Sequence, residues 1–148
     1  MKKKTNKLSI TEEKLEKGIQ IVNRHKVFYW VGIGYVRRER NMGKNAIAYV
    51  EYQEVHANTN YYLEPQEWAY ALVHCALHMV FGHFDENKLP GYEIVNADGT
   101  KTWKPSFDKK FWMAACNLYN AKFLYDMKFG KPVYKIDFAC IPCDLSDE

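Results

Sequence analysis

The sequence predicts a single α+β domain in which two long helices pack together and against a small antiparallel sheet. Apolar residues make up 47% of the chain and aromatic residues 16%, which is enough to form a core. Two segments have the apolar spacing of long helices, and short segments rich in β-branched and aromatic residues lie between them. The length of 148 residues is usual for one domain.

The positive charge is concentrated at the start of the chain. The net charge is +3, and much of the excess lies in the first seven residues, MKKKTNK. We expect residues 1–9 to be a flexible basic tail, residues 10–135 to form the domain, and residues 136–148 to be a C-terminal tail. No signal peptide and no apolar run of about 20 residues is visible. The sequence therefore predicts a cytoplasmic protein with no membrane partner and with reduced thiols at Cys75, Cys116, Cys140 and Cys143.

The first half of the chain predicts one helix followed by strands. Residues 10–25 have an amphipathic pattern, with Ser9 as the N-cap and Glu12 three residues later. Residues 27–39 (VFYWVGIGYVRRE) and 46–55 (AIAYVEYQEV) predict two strands that form a hairpin around a turn at 41–45, because β-branched and aromatic residues favour strands. The following segment, HANTNYYL, predicts a short third strand or an edge segment.

The second half predicts the two long helices. Pro65 favours a helix start, and that helix ends at Gly82. Residues 84–106 predict a loop with a small hairpin around Asp98-Gly99, and residues 133–148 predict a last strand and an acidic end. The second long helix is expected over roughly residues 107–128, with these side chains largely inward: Phe111, Trp112, Ala115, Cys116, Tyr119, Phe123 and Met127.

The stretch HCALHMVFGH carries the main indication of chemistry. His74 and His78 are four residues apart, so on a helix they lie on one face and can direct ring nitrogens at one metal ion. Gly82 ends the helix, so His83 can turn back toward the same point. Three imidazoles with an open fourth position would suit Zn²⁺. An i,i+4 histidine pair alone is often structural, and that alternative stays open.

A second motif lies on the second long helix, and together the motifs resemble a known family. Trp112, Ala115 and Cys116 follow the first motif by the interval found in a bacterial metallopeptidase domain that usually precedes a von Willebrand factor A-like domain. The resemblance covers most of residues 11–130. It implies a zincin-like fold, a bound zinc ion and a peptide or protein as substrate, with Trp112 and the residue after Cys116 supporting the metal ligands.

The chain departs from this family at the residues that carry the reaction. Cys75 occupies the position of the glutamate that acts as general base, and Asn117 that of an aspartate. A positioned base contributes about 10²–10⁴-fold to the rate, so its loss would silence a peptidase but leave the metal ligands in place. The resemblance therefore implies a zinc-binding, weakly active or inactive protein, with Cys75 as a doubtful substitute base or a buried filler. The family's companion domain is absent from this sequence.

Two other classes of function remain open from the sequence. The protein would be a non-catalytic module that binds a protein or peptide in the former active-site cleft. Alternatively, it would be a small basic nucleic-acid binder, with Phe28-Tyr29-Trp30 stacking a base beside Arg37, Arg38 and Arg40. The mild charge makes nucleic acid the weaker alternative. A lone C-x-x-C, Cys140 to Cys143, is at most half of a zinc knuckle.

Overall fold

The computed structural model describes residues 2–31, 36–40, 47–51, 53–83, 85 and 89–133 and confirms an α+β architecture. The described residues form three α-helices and two small sheets. The helices are α1 (Lys2–Arg24), α2 (Pro65–Val80) and α3 (Lys109–Asp126). The strands are β1 (Val36–Glu39), β2 (Ala48–Glu51), β3 (Glu54–Asn58), β4 (Gly91–Val95) and β5 (Lys101–Pro105).

The first sheet is mixed, so the prediction of an antiparallel sheet is wrong for β1–β3. The strand order is β1-β3-β2. Strand β1 runs parallel to β3, with Val36 opposite Val55, and β2 runs antiparallel to β3, with Val50 opposite Val55. The tight hairpin therefore joins β2 to β3 rather than β1 to β2. Gln53 at this turn has φ 61°, and the turn divides the segment predicted as one strand over 46–55.

Among the described residues of the segment predicted as a strand over 27–39, Val36–Glu39 form a strand. Residues Tyr29–Val31 form a short 3₁₀ helix instead. His25 Nδ1 accepts hydrogen bonds from the backbone N–H groups of Val27 and Phe28, which fixes a turn directly after α1. Phe28 is buried and stacks on the His25 ring. These local contacts outweigh the β preference of the aromatic residues.

Helix α1 begins at Lys2, earlier than predicted, and includes residues 2–9, whose flexibility stays a prediction. The physical reason is that neither glycine nor proline interrupts MKKKTNKLSI, and lysine and leucine are good helix formers. Ser9 therefore lies within the helix rather than at its start. The buried side of α1 contains Thr11, Leu15, Gly18 and Val22.

Helix α2 is central to the packing. It contacts α1, α3, β2, β3 and the 3₁₀ helix. Its start is the predicted one: Pro65 is the first helical residue, and Glu64 and Glu67 form a reciprocal capping box. Its end is also as predicted, because Gly82 has φ 65° and reverses the chain. Every residue from Trp68 to His78 is buried, so the helix is enclosed on all sides.

The buried face of helix α3 differs from the face that the sequence predicts. Its N-cap, Asp108, accepts hydrogen bonds from the N–H groups of Lys110 and Phe111. The side chains predicted to face inward are partly wrong: Phe111 is 78% exposed, Tyr119 is 56% exposed, and Ala115 is also exposed. The buried residues of the helix are Cys116, Asn120 and Leu124. Apolar residues occur on two faces of α3, so periodicity alone does not select the buried face.

The hairpin predicted around Asp98-Gly99 is confirmed as β4–β5. Strand β4 pairs antiparallel with β5, and Gly99 at the turn has φ 85°. Asp98 accepts hydrogen bonds from the Thr100 backbone and hydroxyl, which closes the turn.

The predicted last strand and the Cys140–Cys143 pair fall within residues 134–148, outside the described residues. None of the described helices has the length and apolar character needed to cross a membrane.

The contact between α1 and α2 is close enough to exclude a methyl group at Gly18. A Cβ there would lie 2.6 Å from Trp68 Cβ and 3.0 Å from the Pro65 carbonyl oxygen. We expect Gly18→Ala to lower the free energy of unfolding by about 1–3 kcal/mol, because overpacking outweighs the helix preference of alanine. Urea denaturation measures the change. Asn23→Ala, at an exposed position of α1, is the control and should be neutral or stabilising; equal stability gains in both variants would contradict the close packing.

Candidate metal centre

Two buried histidines on α2 form the centre of the site. His74 is 1% exposed and His78 is 0% exposed. They lie one helical turn apart, and their ring centroids are 5.3 Å from each other. Polar groups at such depth require hydrogen-bond partners, because an unpaired buried polar group costs about 1–3 kcal/mol.

Asn117 on α3 is the shared partner of both imidazoles. Its Oδ1 lies 3.1 Å from His74 Nε2 and 3.0 Å from His78 Nε2. A carbonyl oxygen only accepts, so in the neutral network both histidines carry their proton on Nε2 and donate to the same oxygen. The two Nε2 atoms therefore converge on one point, as metal ligation by the pair requires.

His83 meets the other side of His78. The turn at Gly82 brings the His83 backbone N–H to 3.0 Å from the His78 carbonyl oxygen. The two Nδ1 atoms, of His83 and His78, are 3.1 Å apart. His78 Nδ1 carries no proton when Nε2 donates to Asn117, so His83 Nδ1 is the donor in this pair. The structure thus brings His83 to the site, but not to the point where the other two histidines meet.

Two further side chains of α3 hold the backbone around the histidines. Trp112 Nε1 donates to the His83 carbonyl oxygen over 2.8 Å. Asn120 Nδ2 donates to the His74 carbonyl oxygen over 3.0 Å, and its Oδ1 is buried with no hydrogen-bond partner among the described residues. Asn120 is not among the site residues that the sequence predicts. Its position three residues after Asn117, on the same side of a helix, was the signal that could have identified it.

Burial keeps the histidines neutral. Desolvation lowers the pKa of His74 from 6.5 to about 4 and that of His78 to about 3, where the neighbouring His74 and His83 add to the effect. Desolvation also lowers the pKa of His83. Neutral imidazole is the form that binds a metal ion. It is also the form in which His78 Nδ1 can accept a hydrogen bond from His83 Nδ1.

Four other candidate side chains, two cysteines and two glutamates, take no part in the hydrogen bonds between the histidines and Asn117. Cys75 is 0% exposed and belongs to the hydrophobic core. Burial raises the pKa of the Cys116 thiol to about 11, so it is not a thiolate at neutral pH. Glu54 pairs with Arg37, and Glu67 caps the start of α2. None of these four side chains therefore supplies a carboxylate or thiolate to the histidines.

The two Nε2–Oδ1 distances are those of hydrogen bonds, so a zinc ion would require these atoms to move slightly apart. Ligands about 2.0–2.1 Å from a tetrahedral zinc ion lie roughly 3.3 Å from each other, and the two Nε2–Oδ1 distances are only slightly shorter. The described residues contain no group of three or more His, Cys, Asp or Glu side chains placed to hold a metal. Among the described residues, the polar atom that both Nε2 atoms contact is the amide oxygen of Asn117, which is outside those four residue types.

The basic segment considered for nucleic acid is largely neutralised. Tyr29 and Trp30 are exposed, at 62% and 59%, but Phe28 is buried. Each nearby arginine pairs with a glutamate of the chain. These ion pairs are Arg37–Glu54, Arg38–Glu16 and Arg40–Glu12. The arginines are therefore less available to phosphates than the sequence alone indicated.

No family model matches the chain, and neither a curated protein nor a solved structure matches it. The resemblance to the metallopeptidase domain therefore depends on the two motifs alone, and membership of that family stays a prediction.

The depressed histidine pKa values predict acid sensitivity of the metal-free protein. The unfolded chain takes up protons below pH about 6.5, whereas folded His74 and His78 resist protonation until about pH 4 and 3. The stability from these groups is complete above pH 6.5 and is lost as the pH falls through this window, at about 1.4 kcal/mol per pKa unit. Denaturation between pH 7 and 5.5 should show this slope, and His74→Leu/His78→Leu should flatten it. Equal slopes in both proteins would contradict neutral burial.

Proposed function

We propose that this chain is a zinc-binding, metallopeptidase-like protein that lacks effective peptidase activity. The convergence of His74 Nε2 and His78 Nε2 on Asn117 Oδ1 is the observation that carries the proposal. Two imidazole nitrogens, of the type that zinc accepts, lie 3.1 and 3.0 Å from one amide oxygen inside the protein. The zincin-like fold belongs to the same proposal, supported by the order of the two motifs and by the contact of the two helices that carry them.

The residues fit a zinc ion through their donor atoms and protonation states. His74 and His78 would bind through Nε2 and Asn117 through Oδ1, and Trp112 would hold His83 beside them. His83 is the third ligand that the spacing predicts, and its side chain would have to turn from His78 to join the others. All these groups are neutral, so we expect weaker binding than at sites with carboxylate or thiolate ligands. A bound zinc ion would act as a Lewis acid on an oxygen ligand.

We expect no hydrolysis for two reasons. The histidines are closed to water and substrate, and Cys75 occupies the position of the general base. Catalytic zinc sites keep one position open to water and substrate, whereas closed sites are structural. His74 and His78 are both sealed from solvent. Cys75, at the position of the general base, packs in the core. A peptide would reach neither the two Nε2 atoms nor a positioned carboxylate, so the site stabilises the contact of α2 with α3.

A second candidate function is a non-catalytic module that binds a protein or peptide. The observation in its favour is the exposed apolar surface of α3 beside the site, where Tyr119 packs edge-on against His83 and is 56% exposed. A partner on this surface would bind next to the histidines without entering the site. The two functions are compatible, since metal binding would rigidify the helix that presents the surface.

Metal content tests the proposed site. We expect about one zinc ion per chain in the purified protein by inductively coupled plasma mass spectrometry, because two imidazoles and an amide oxygen converge there. The double variant His74→Ala/His78→Ala should lose the metal. His25→Ala is the matched control, since His25 is a half-buried histidine that accepts from local backbone N–H groups and packs on Phe28 and Phe129. Metal retained by the double variant, or absent from the wild type after incubation with zinc, would overturn the proposal.

Variants of Asn117 distinguish a role as metal ligand from a role as hydrogen-bond partner only. Asn117→Asp adds a charged oxygen at the same place, and we expect zinc affinity to rise about tenfold or more, as Coulomb attraction in a partly desolvated site would give. Asn117→Leu should weaken zinc binding. Isothermal titration with zinc measures both. Identical affinities across wild type, Asn117→Asp and Asn117→Leu would exclude Asn117 from the metal shell.

The zinc-loaded protein should not hydrolyse casein or a peptide library. We expect Cys75→Glu to remain inactive and to lose several kcal/mol of stability, because the carboxylate would enter the core without a partner. Cys75→Ala is the control for loss of the thiol and should be milder. Measurable turnover by the wild type, abolished in His74→Ala/His78→Ala, would contradict the inactive assignment.

A further inference from the structure

Helix α3 has a second apolar face that points to solvent. Phe111, Leu118 and Tyr125 are 78%, 72% and 73% exposed. They are seven residues apart, so they lie along one side of the helix with a drift of only about 20° per step. Ala114, Ala115 and Ala121 lie beside them, and Lys122 is the one charged residue between Phe111 and Tyr125. We call these six residues the α3 stripe.

We propose that the α3 stripe binds a second copy of this chain, with the two α3 helices antiparallel across a twofold axis at Leu118. A second copy requires a surface that is complementary to itself, because in a twofold dimer the same patch serves both subunits. The stripe has this property. With Leu118 on the axis, Phe111 of one chain faces Tyr125 of the other, and the two Leu118 side chains face each other.

The area of the stripe is sufficient for a weak dimer. A large apolar or aromatic side chain presents roughly 200 Å², so Phe111, Leu118, Tyr125 and the adjoining Tyr119 together expose roughly 550 Å². Two copies would bury on the order of 1,100 Å², near the lower end of specific interfaces. An apolar patch of this size exceeds scattered surface hydrophobicity and marks an interaction site. We therefore expect a dissociation constant in the micromolar range.

The small residues allow the two helices to approach. Alanines beside Leu118 leave space for the partner's larger side chains, as close helix packing requires interlocking of large and small positions. Lys122 is exposed and lies between Leu118 and Tyr125 on the same side of the helix, where its methylene groups can pack in the interface while its amine extends to water. A partner of different sequence would not need a stripe that is symmetric about its own middle residue, so the symmetry favours a second copy.

Sedimentation velocity of the full chain from about 1 to 200 µM tests the proposal. We expect the average mass to rise from one chain toward two, and Leu118→Glu to raise the dissociation constant at least tenfold without changing the melting temperature. Val95→Glu is the matched control, since Val95 is 68% exposed on the separate hairpin β4–β5. It should leave the dimer unchanged.

Mixing tests the twofold axis itself. Leu118→Glu and Leu118→Lys should each be monomeric, but a mixture of the two should form a heterodimer, because residue 118 faces its own copy. A wild type that stays monomeric at 200 µM would overturn the proposal and leave the stripe to another occupant. A dimer that survives Leu118→Glu, or that Val95→Glu breaks equally, would show that a different surface associates. A mixture that stays monomeric would overturn the antiparallel arrangement.

Discussion

The enclosure of helix α2 is the constraint on which the remaining structure depends. The helix is buried from Trp68 to His78, so two imidazoles lie where water cannot reach them. Each requires a hydrogen-bond partner from within the protein, and each must be neutral to avoid the larger penalty of a buried charge. Asn117 is the partner of both rings through one oxygen, and desolvation keeps both rings neutral. An ordinary pair of helical histidines thereby becomes a fixed, neutral and convergent pair.

The same requirement sets the orientation of α3. Asn117, Asn120 and Trp112 all donate or accept toward α2 and the turn that follows it, so this polar side of α3 faces inward. The row that contains Phe111, Leu118 and Tyr125 is consequently turned outward. An exposed row of this kind is unfavourable in an isolated monomer. The buried site and the proposed dimer surface are thus two consequences of one rotation of α3.

The sequence predicted the elements whose signals are local. Pro65, Gly82 and Asp98-Gly99 mark their turns through backbone preferences that need no tertiary context, and the structure confirms all three. The strand order was not predictable in this way, because the insertion of β3 between β1 and β2 is a non-local pairing. The face of α3 was mispredicted for a related reason. Two apolar rows compete on that helix, and the hydrogen bonds of its asparagines, rather than hydrophobicity, decide between them.

The site was predictable in its composition and less so in its geometry. The i,i+4 spacing placed His74 and His78 on one face, but the role of Asn117 as a direct partner of both depends on contact with another helix. The most direct test is NMR of the imidazole tautomers with and without one equivalent of zinc. We predict Nε2–H tautomers for His74 and His78 in the metal-free protein, and a change to Nδ1–H as zinc occupies Nε2. Unchanged Nε2–H signals in the presence of zinc would show that the network with Asn117 is purely structural.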